Sequence, residues 1–346
     1  MDRQTQSATP PVPDSSSLIQ KMFHFQQSGK WRSIHQLANS LVPYAFLWVA
    51  MYYVLQYSVW LAIPIAVLAA GFLVRIFVIF HDCGHGSFFK SKRANDVCGV
   101  LTGILTFTPY HYWRASHARH HATSGNLDKR GHGDVWMMTV EEYAAASTGT
   151  RLQYRLYRNP AVMFLLGPLF LLLISYRIPK RRSSRSEKLS VHATNAGIIL
   201  LAFLISLVIG FKTYLLIQLP IIFIAFVAGV WLFYVQHQFE SVNWTRQSEW
   251  DFISASLYGG SFYKLPKILN WFTGSIGYHH VHHVNPRIPN YNLAKCHRHI
   301  DDFRNVISVG LISGLKAFGY RLWDEKQKKL IGFGTFKTYQ FDPEAN

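Results

Sequence analysis

Seventeen histidines lie in this chain of 346 residues, and nine of them stand at spacings suited to binding metal. His81 and His85 are four apart. His117, His120 and His121 form H-x-x-H-H, and His279, His282 and His283 repeat the pattern. His237 stands in Gln236-His237-Gln238-Phe239-Glu240. On a helix, residues three and four apart share a face, so each group is expected to aim its rings at one point. Gly84 predicts a frayed helix end at the first group. Chance supplies roughly 0.04 H-x-x-H-H matches at this histidine frequency, whereas the chain holds two. Any one such histidine is as often a surface residue bonded to water or backbone as a ligand. The set is different: crowded imidazoles in a chain of formal charge +17 repel if protonated, and a metal holds them neutral. Nine donors are too many for one ion and about right for two. Imidazole suits iron, zinc, copper and nickel, so the donors leave the metal open, while a structural zinc site closes with four ligands. The cysteines, Cys83, Cys98 and Cys296, form no C-x-x-C pair, which excludes a disulfide scaffold, a cysteine zinc site and an iron–sulfur cluster within the chain.

The elements that must position these histidines are apolar. Hydrophobic residues make up 49% of the chain, and they gather into blocks long enough to cross a bilayer. Residues 41–57 and 61–80, joined by Ser58-Val59-Trp60, read as one transmembrane hairpin; residues 191–211 and 213–235 read as another. Arg75, inside the second block, is expected to reach toward the headgroups. Residues 97–112 and 161–176 are apolar but short and broken by glycine and proline, and 161–176 is read as interfacial or re-entrant. Of 35 Lys and Arg, 33 lie in residues 1–40, 81–190 and 237–346. The positive-inside rule puts all three regions in the cytoplasm. The expectation is an α-helical integral membrane protein with four transmembrane helices in two hairpins and a histidine-rich cytosolic helical cap. Its parts are a polar N-terminal tail (1–36), a first hairpin (37–80), a cap segment with two histidine groups (81–190), a second hairpin (191–236) and a second cap segment (237–346). The N-terminal region lacks the layout of a cleaved secretory signal, so the first apolar block is expected to stay as an anchor. The basic excess fits anionic lipid headgroups or an acidic protein partner, and nucleic acid falls away. Two ions with open positions at the mouth of an apolar domain point to chemistry on a lipid-like substrate, and non-haem iron is the usual choice for O2-dependent attack on unactivated C–H bonds.

The pattern H-x3-H, H-x2-H-H and H-x2-H-H between two apolar hairpins resembles the membrane fatty-acid desaturase family. His-Asp-Cys-Gly-His-Gly-Ser-Phe-Phe (81–89), Thr-Pro-Tyr-His-Tyr-Trp-Arg (108–114), Gly-Asn-Leu-Asp-Lys-Arg-Gly (125–131), Trp-Leu-Phe-Tyr-Val-Gln-His-Gln-Phe-Glu (231–240) and His-His-Val-His-His-Val-Asn-Pro-Arg-Ile-Pro-Asn-Tyr (279–291) are similar to bacterial acyl-lipid desaturases, and most to the delta-5 type. The resemblance runs from about His24 to Gly334. It implies a diiron enzyme of the plasma membrane, with the histidines and both termini cytoplasmic, that places a cis double bond in the acyl chain of a membrane lipid. It also implies two iron ions held by His81, His85, His117, His120, His121, His237, His279, His282 and His283. Some relatives carry an asparagine, acting through water, one turn before the residue matching His237; here Phe233 takes that place. His280 falls at a variable position and is expected not to be a ligand.

Asp82 is a candidate to orient a ligand imidazole, with a helix-end cap as the alternative. His111, His132, His297 and His299 lack the spacing. Trp113 and Trp136 are expected as interfacial anchors, with the wall of an acyl tunnel as the alternative. The chain has no G-x-G-x-x-G unit, no cysteine cluster and no appended haem domain, so an external electron donor is expected. The resemblance implies ferredoxin, and a basic cap complements such an acidic protein. A hydroxylase or ketolase could use the same histidine framework. A metal transporter is disfavoured, because transporters set ionisable residues at the bilayer midplane and the four spans carry no histidine there, His192 lying at an edge.

Overall fold

A computed structural model describes residues 13–131 and 133–336; His132 lies outside the described residues. The helices in chain order are α1 (Ser15–Met22), α2 (Lys30–Val54), α3 (Val59–His85), α4 (Lys92–Leu105), α5 (Tyr110–Thr123), α6 (Val140–Ala145), α7 (Thr148–Tyr157) and α8 (Gly167–Phe170). They continue with α9 (Arg185–Ile209), α10 (Phe211–His237), α11 (Phe252–Tyr258), α12 (Lys267–Phe272), α13 (His279–Val284), α14 (Asn290–His299) and α15 (Leu311–Gly314). Among the described residues, α2, α3, α9 and α10 are long and apolar enough to cross a membrane, at 25 to 27 residues each. At 1.5 Å per residue each is about 40 Å long, so each clears the bilayer core and carries its last turns beyond it. The protein is an integral membrane protein of two helical hairpins.

Packing ranks the four helices. α3 lies at the centre, with Ala62, Ala66, Ala69, Ala70 and Leu73 buried among Tyr44 and Met51 of α2 and Ile217, Ile221 and Ile222 of α10. Small side chains let these backbones approach, which is how helices associate where lipid tails compete for apolar surface. The Trp48 indole donates to Gln218 Oε1 across α2 and α10. α9 is peripheral and exposes Ile199, Phe203, Leu207 and Val208, which suits a lipid-facing wall.

The segment 161–176 is not one of these four helices. With α7 it forms a bent pair, broken by 61°. Phe164, near its start, packs on Trp231 and Tyr234 close to the final turns of α10. After it, Arg177 bonds to Asn195 and to the carbonyl of Phe107, and Ser190 accepts from the His111 backbone. Both ends therefore lie toward the side where α3 and α10 end, the arrangement expected of a re-entrant segment.

Three local expectations change. α3 does not fray at Gly84: it runs to His85 and stops at Gly86, whose φ of +69° is open to glycine without strain. Gly84 instead gives room to Trp113, whose ring carbon would lie 3.0 Å from an added Cβ. Arg75 does not reach outward but is buried; α12 packs beside α3, so its guanidinium stacks 3.9 Å over the Trp271 ring and donates to the Trp271 carbonyl. The N-terminal region is not simply a polar tail to residue 36. Leu18, Met22 and Phe25, at helical spacing, bury against Ile253, Val281, Leu293 and Phe303 of the cap, and α2 begins at Lys30.

The cap holds α5, α6, α7, α11, α13 and α14 with two small sheets. β1 (Met138–Thr139) pairs in parallel with β4 (Leu322–Asp324), which pairs antiparallel with β5 (Lys329–Ile331). β2 (Phe262–Lys264) pairs in parallel with β3 (Ser308–Gly310). Trp323 and Tyr263 join these sheets to Val235 and Phe239 at the end of α10.

Reporter fusions after Trp60 and Lys212 are expected to read the outer face, and fusions after Asn126 and Arg182 the inner face. An outer-face signal at Arg182 would mean that residues 161–176 cross.

Candidate metal centre

Each histidine is carried to the same place by an element that ends or lies there. α3 delivers His81 and His85 in its final turn, and α10 delivers His237 as its last residue. α5 and α13 lie in the cap and supply His117, His120, His121 and His279, His282, His283.

The rings form two groups. His81, His85, His117, His121 and His282 make one, and His120, His237 and His283 make the other. His279 joins the second, its Nε2 2.8 Å from that of His237 and 3.0 Å from that of His283. The expectation that each H-x-x-H-H aims at one point is thus corrected. Consecutive residues lie about 100° apart around a helix, so the third and fourth positions flank the first on opposite sides. In α5, His117 and His121 turn to the five-histidine group and His120 to the other. In α13, His279 and His283 turn to the four-histidine group and His282 to the first.

The nitrogen spacings test whether metal fits. His117 Nε2 lies 3.1 Å from both His81 Nε2 and His121 Nε2, and His121 Nε2 lies 3.0 Å from His282 Nε2. A ring nitrogen carries one proton or one lone pair, so it cannot hydrogen-bond to two rings at once. Ligands about 2.1 Å from a common ion and at right angles to one another sit about 3.0 Å apart. The observed spacing matches shared coordination. The protonation states agree: burial first, then neighbouring imidazoles, hold His117, His121, His279, His282 and His283 well below the usual histidine range. Neutral rings are the form a metal needs.

Behind the rings lie acceptors that set their tautomers. Asp82 Oδ1 is 3.2 Å from His81 Nδ1, and its Oδ2 accepts from the backbone N and the side-chain amide of Asn290 at the start of α14. His237 Nδ1 donates to the Gly259 carbonyl at 3.1 Å. His120 Nδ1 meets Asp134 Oδ1 at 2.7 Å. Asp134 was missed by sequence reasoning. It follows His121 by thirteen residues in a glycine-containing loop, and no helical spacing links it to His120.

The other candidates separate clearly. His280 turns away and pairs with His297, Nε2 to Nδ1 at 3.0 Å. His299 bonds within its own helix, and the backbone of His111 bonds Ser190. Trp113 stacks on His117 with centroids 4.3 Å apart, while Trp136 packs on Tyr154 and Tyr157. Phe233 lies against His120 and His237, with ring centroids 5.1 and 4.9 Å away, and offers no donor. A cavity of about 460 Å³ opens between α3 and α10. It is lined by His81 and His117 of one group, His120 and His279 of the other, and by Leu73, Val74, Phe77, Ile222, Ala225 and Phe226. Trp113 lines it too, so this tryptophan belongs to the cavity wall rather than acting as an interfacial anchor.

Comparison with known proteins places this geometry. The family model described as "Fatty acid desaturase" matches residues 58–306. A "Fatty acid desaturase" of Bacillus subtilis is 48% identical over 320 residues, covering 92% of this chain and 91% of that protein. An "Acyl-lipid omega-3 desaturase (cytochrome b5), endoplasmic reticulum" of Arabidopsis thaliana is 30% identical, covering 83% and 75%. An "sn-1 acyl-lipid omega-3 desaturase (ferredoxin)" of a Synechocystis species is 29% identical, covering 68% and 66%.

Elemental analysis of the purified protein is expected to give two metal ions per chain. His282→Ala should lower this to about one, with membrane insertion kept. Asp82→Asn should weaken metal binding about 10- to 100-fold, since it disturbs the support of a ligand ring; wild-type retention in a chelator titration would remove Asp82 from the site.

Proposed function

The chain belongs to the fatty acid desaturase family, and from that premise we propose that it introduces a cis double bond into the fatty-acyl chain of a membrane lipid, at the delta-5 position. The observation that carries this reading is the cavity: one apolar space touches histidines of both groups and continues into the transmembrane bundle. Its lining runs along α3 from His81 to Leu73 and along α10 from Gln236 to Ile222, about 12 and 21 Å at helical rise. That depth suits an acyl chain whose longer, methyl-terminal part lies beyond the oxidised carbons, as a delta-5 reaction requires. Lys180, exposed at the rim of the cavity, suits a headgroup that stays at the surface.

In this reading two iron ions are held by His81, His85, His117, His121 and His282, and by His120, His237, His279 and His283. The bound irons supply O2-dependent oxidation, which no side chain here provides. The protein's part is to position and to exclude. Asp82, Gly259 and Asp134 keep three rings in the tautomer that presents Nε2. Phe77, Trp113, Phe226 and Phe233 form an apolar wall that holds methylenes beside the centre and keeps water from it. The four-histidine group has one donor fewer, with Phe233 at its side, so an ion there keeps a position for another ligand.

The proposed organisation is the two hairpins (37–80, 191–236) with cap segments 81–190 and 237–346, in the plasma membrane with the cap cytoplasmic. The distribution of Lys and Arg supports that orientation. Electrons come from a soluble acidic donor such as ferredoxin, the donor named for the Synechocystis relative; the Arabidopsis relative's name gives cytochrome b5. The basic cap favours an acidic partner.

In membranes reconstituted with ferredoxin, its reductase and NADPH, a mono-unsaturated fatty acid is expected by gas chromatography–mass spectrometry, and none without O2. The fragment masses report the bond position. A product with a hydroxyl at the oxidised carbon and no alkene would make the chain a hydroxylase.

A further inference from the structure

The two carboxylates behind the histidines are unequally satisfied. Asp82 spends one oxygen on His81 and the other on Asn290. Asp134 spends Oδ1 on His120, but its Oδ2 is buried and meets no donor among the described residues. This side chain is only 6% exposed. The indole Nε1 of Trp244 is likewise buried without a partner. Both residues line one small cavity of about 10 Å³, closed by Val135, Phe233, His237, Val242 and the turn at Ser124 and Gly125. A buried carboxylate oxygen and a buried N–H each cost free energy when left unpaired. A space of this size holds a single water, and a buried water needs polar partners. Asp134 and Trp244, which line this space, bring one unpaired acceptor and one unpaired donor.

We propose that this cavity is a built water site. One water accepts from Trp244 Nε1–H and donates to Asp134 Oδ2, so that Trp244, water, Asp134 and His120 form one hydrogen-bonded chain behind the four-histidine group. Asp134 and Trp244 are positioning residues: they fix the His120 ring, whose Nε2 lies 3.3 Å from that of His237. Asp134, Val135 and Phe233 line both this cavity and the large apolar one, forming the wall between them. The water therefore serves the ligand ring and does not wet the acyl chain. The five-histidine group needs no counterpart, because Asn290 already completes Asp82. The inference rests on the two-metal reading above.

The test uses the full-length protein loaded with 57Fe, comparing wild type with Trp244→Phe and Asp134→Ala. Trp244→Phe keeps an aromatic ring but removes the N–H. Under chelator, Asp134→Ala is expected to lose one of its two irons at least about tenfold faster and Trp244→Phe about fivefold faster, the second iron leaving at the wild-type rate. In both variants one of two Mössbauer doublets should shift. If Trp244→Phe releases both irons at the wild-type rate with unshifted doublets, the water link is absent. A density map that resolves waters decides independently of how the variants fold: a peak between Trp244 Nε1 and Asp134 Oδ2 supports the site, and an empty cavity overturns it. An iron content other than two in the wild type would instead strike the metal reading, leaving that map to decide the water site alone.

Discussion

Nine imidazoles must converge in two groups at the rim of a membrane bundle, with neighbouring ring nitrogens about 3 Å apart, and the rest of the architecture follows from that constraint. Protonated rings at such distances would repel strongly in a buried setting, where charge is poorly screened. Burial and neighbouring imidazoles hold His117, His121, His279, His282 and His283 well below the usual histidine range, and a shared ion would turn crowding into cohesion. The protein must therefore hold the rings rigidly from opposite directions. It does so with the ends of α3 and α10 from the membrane side and with α5 and α13 from the cap. The carboxylates of Asp82 and Asp134 and the Gly259 carbonyl then lock three of the rings from behind.

The same convergence shapes the substrate space. Because α3 and α10 both end at the histidines, the cavity between them is apolar along its depth and imidazole-lined at its top. The segment 161–176 contributes Leu171, Ser175 and Tyr176 to one side of this space. After it, Arg177 bonds to Asn195 of α9 and to the carbonyl of Phe107, which ties this wall of the cavity to its neighbours. A long apolar chain in this cavity would meet both histidine groups without leaving a lipid-like environment. That is why a desaturase reaction fits the site better than metal transport, in which the binding residues would sit midway through the bundle.

The two histidine groups are not equivalent. The first has five rings and a carboxylate completed by Asn290. The second has four rings, the donor-less Phe233 as neighbour, and a carboxylate with one free oxygen. Two ions in unequal surroundings differ in exchange rate and electronic character, and this inequality is written into the protein rather than into the metal.

Local patterns made much of this legible in the sequence. The apolar blocks at 41–57, 61–80, 191–211 and 213–235 announce α2, α3, α9 and α10 because a bilayer demands length and hydrophobicity from any spanning helix. The histidines are visible because ligands on one helix recur every three or four residues. Tertiary structure alone decided how they divide. His120 and His121 are neighbours in sequence yet serve different groups, since a helix sets the directions of its side chains but not what stands opposite them. Asp134 and Trp244 were invisible because each lies in a loop with no period, and the small cavity they line is assembled from separate stretches of the chain around Ser124, Asp134, Phe233, Trp244 and Gly259. Arg75 shows the limit most simply. Its charge inside a span reads as a group seeking the headgroups, and only the packing of α12 against α3, a contact nearly 200 residues away in the chain, supplies the carbonyl and the ring that let it stay buried.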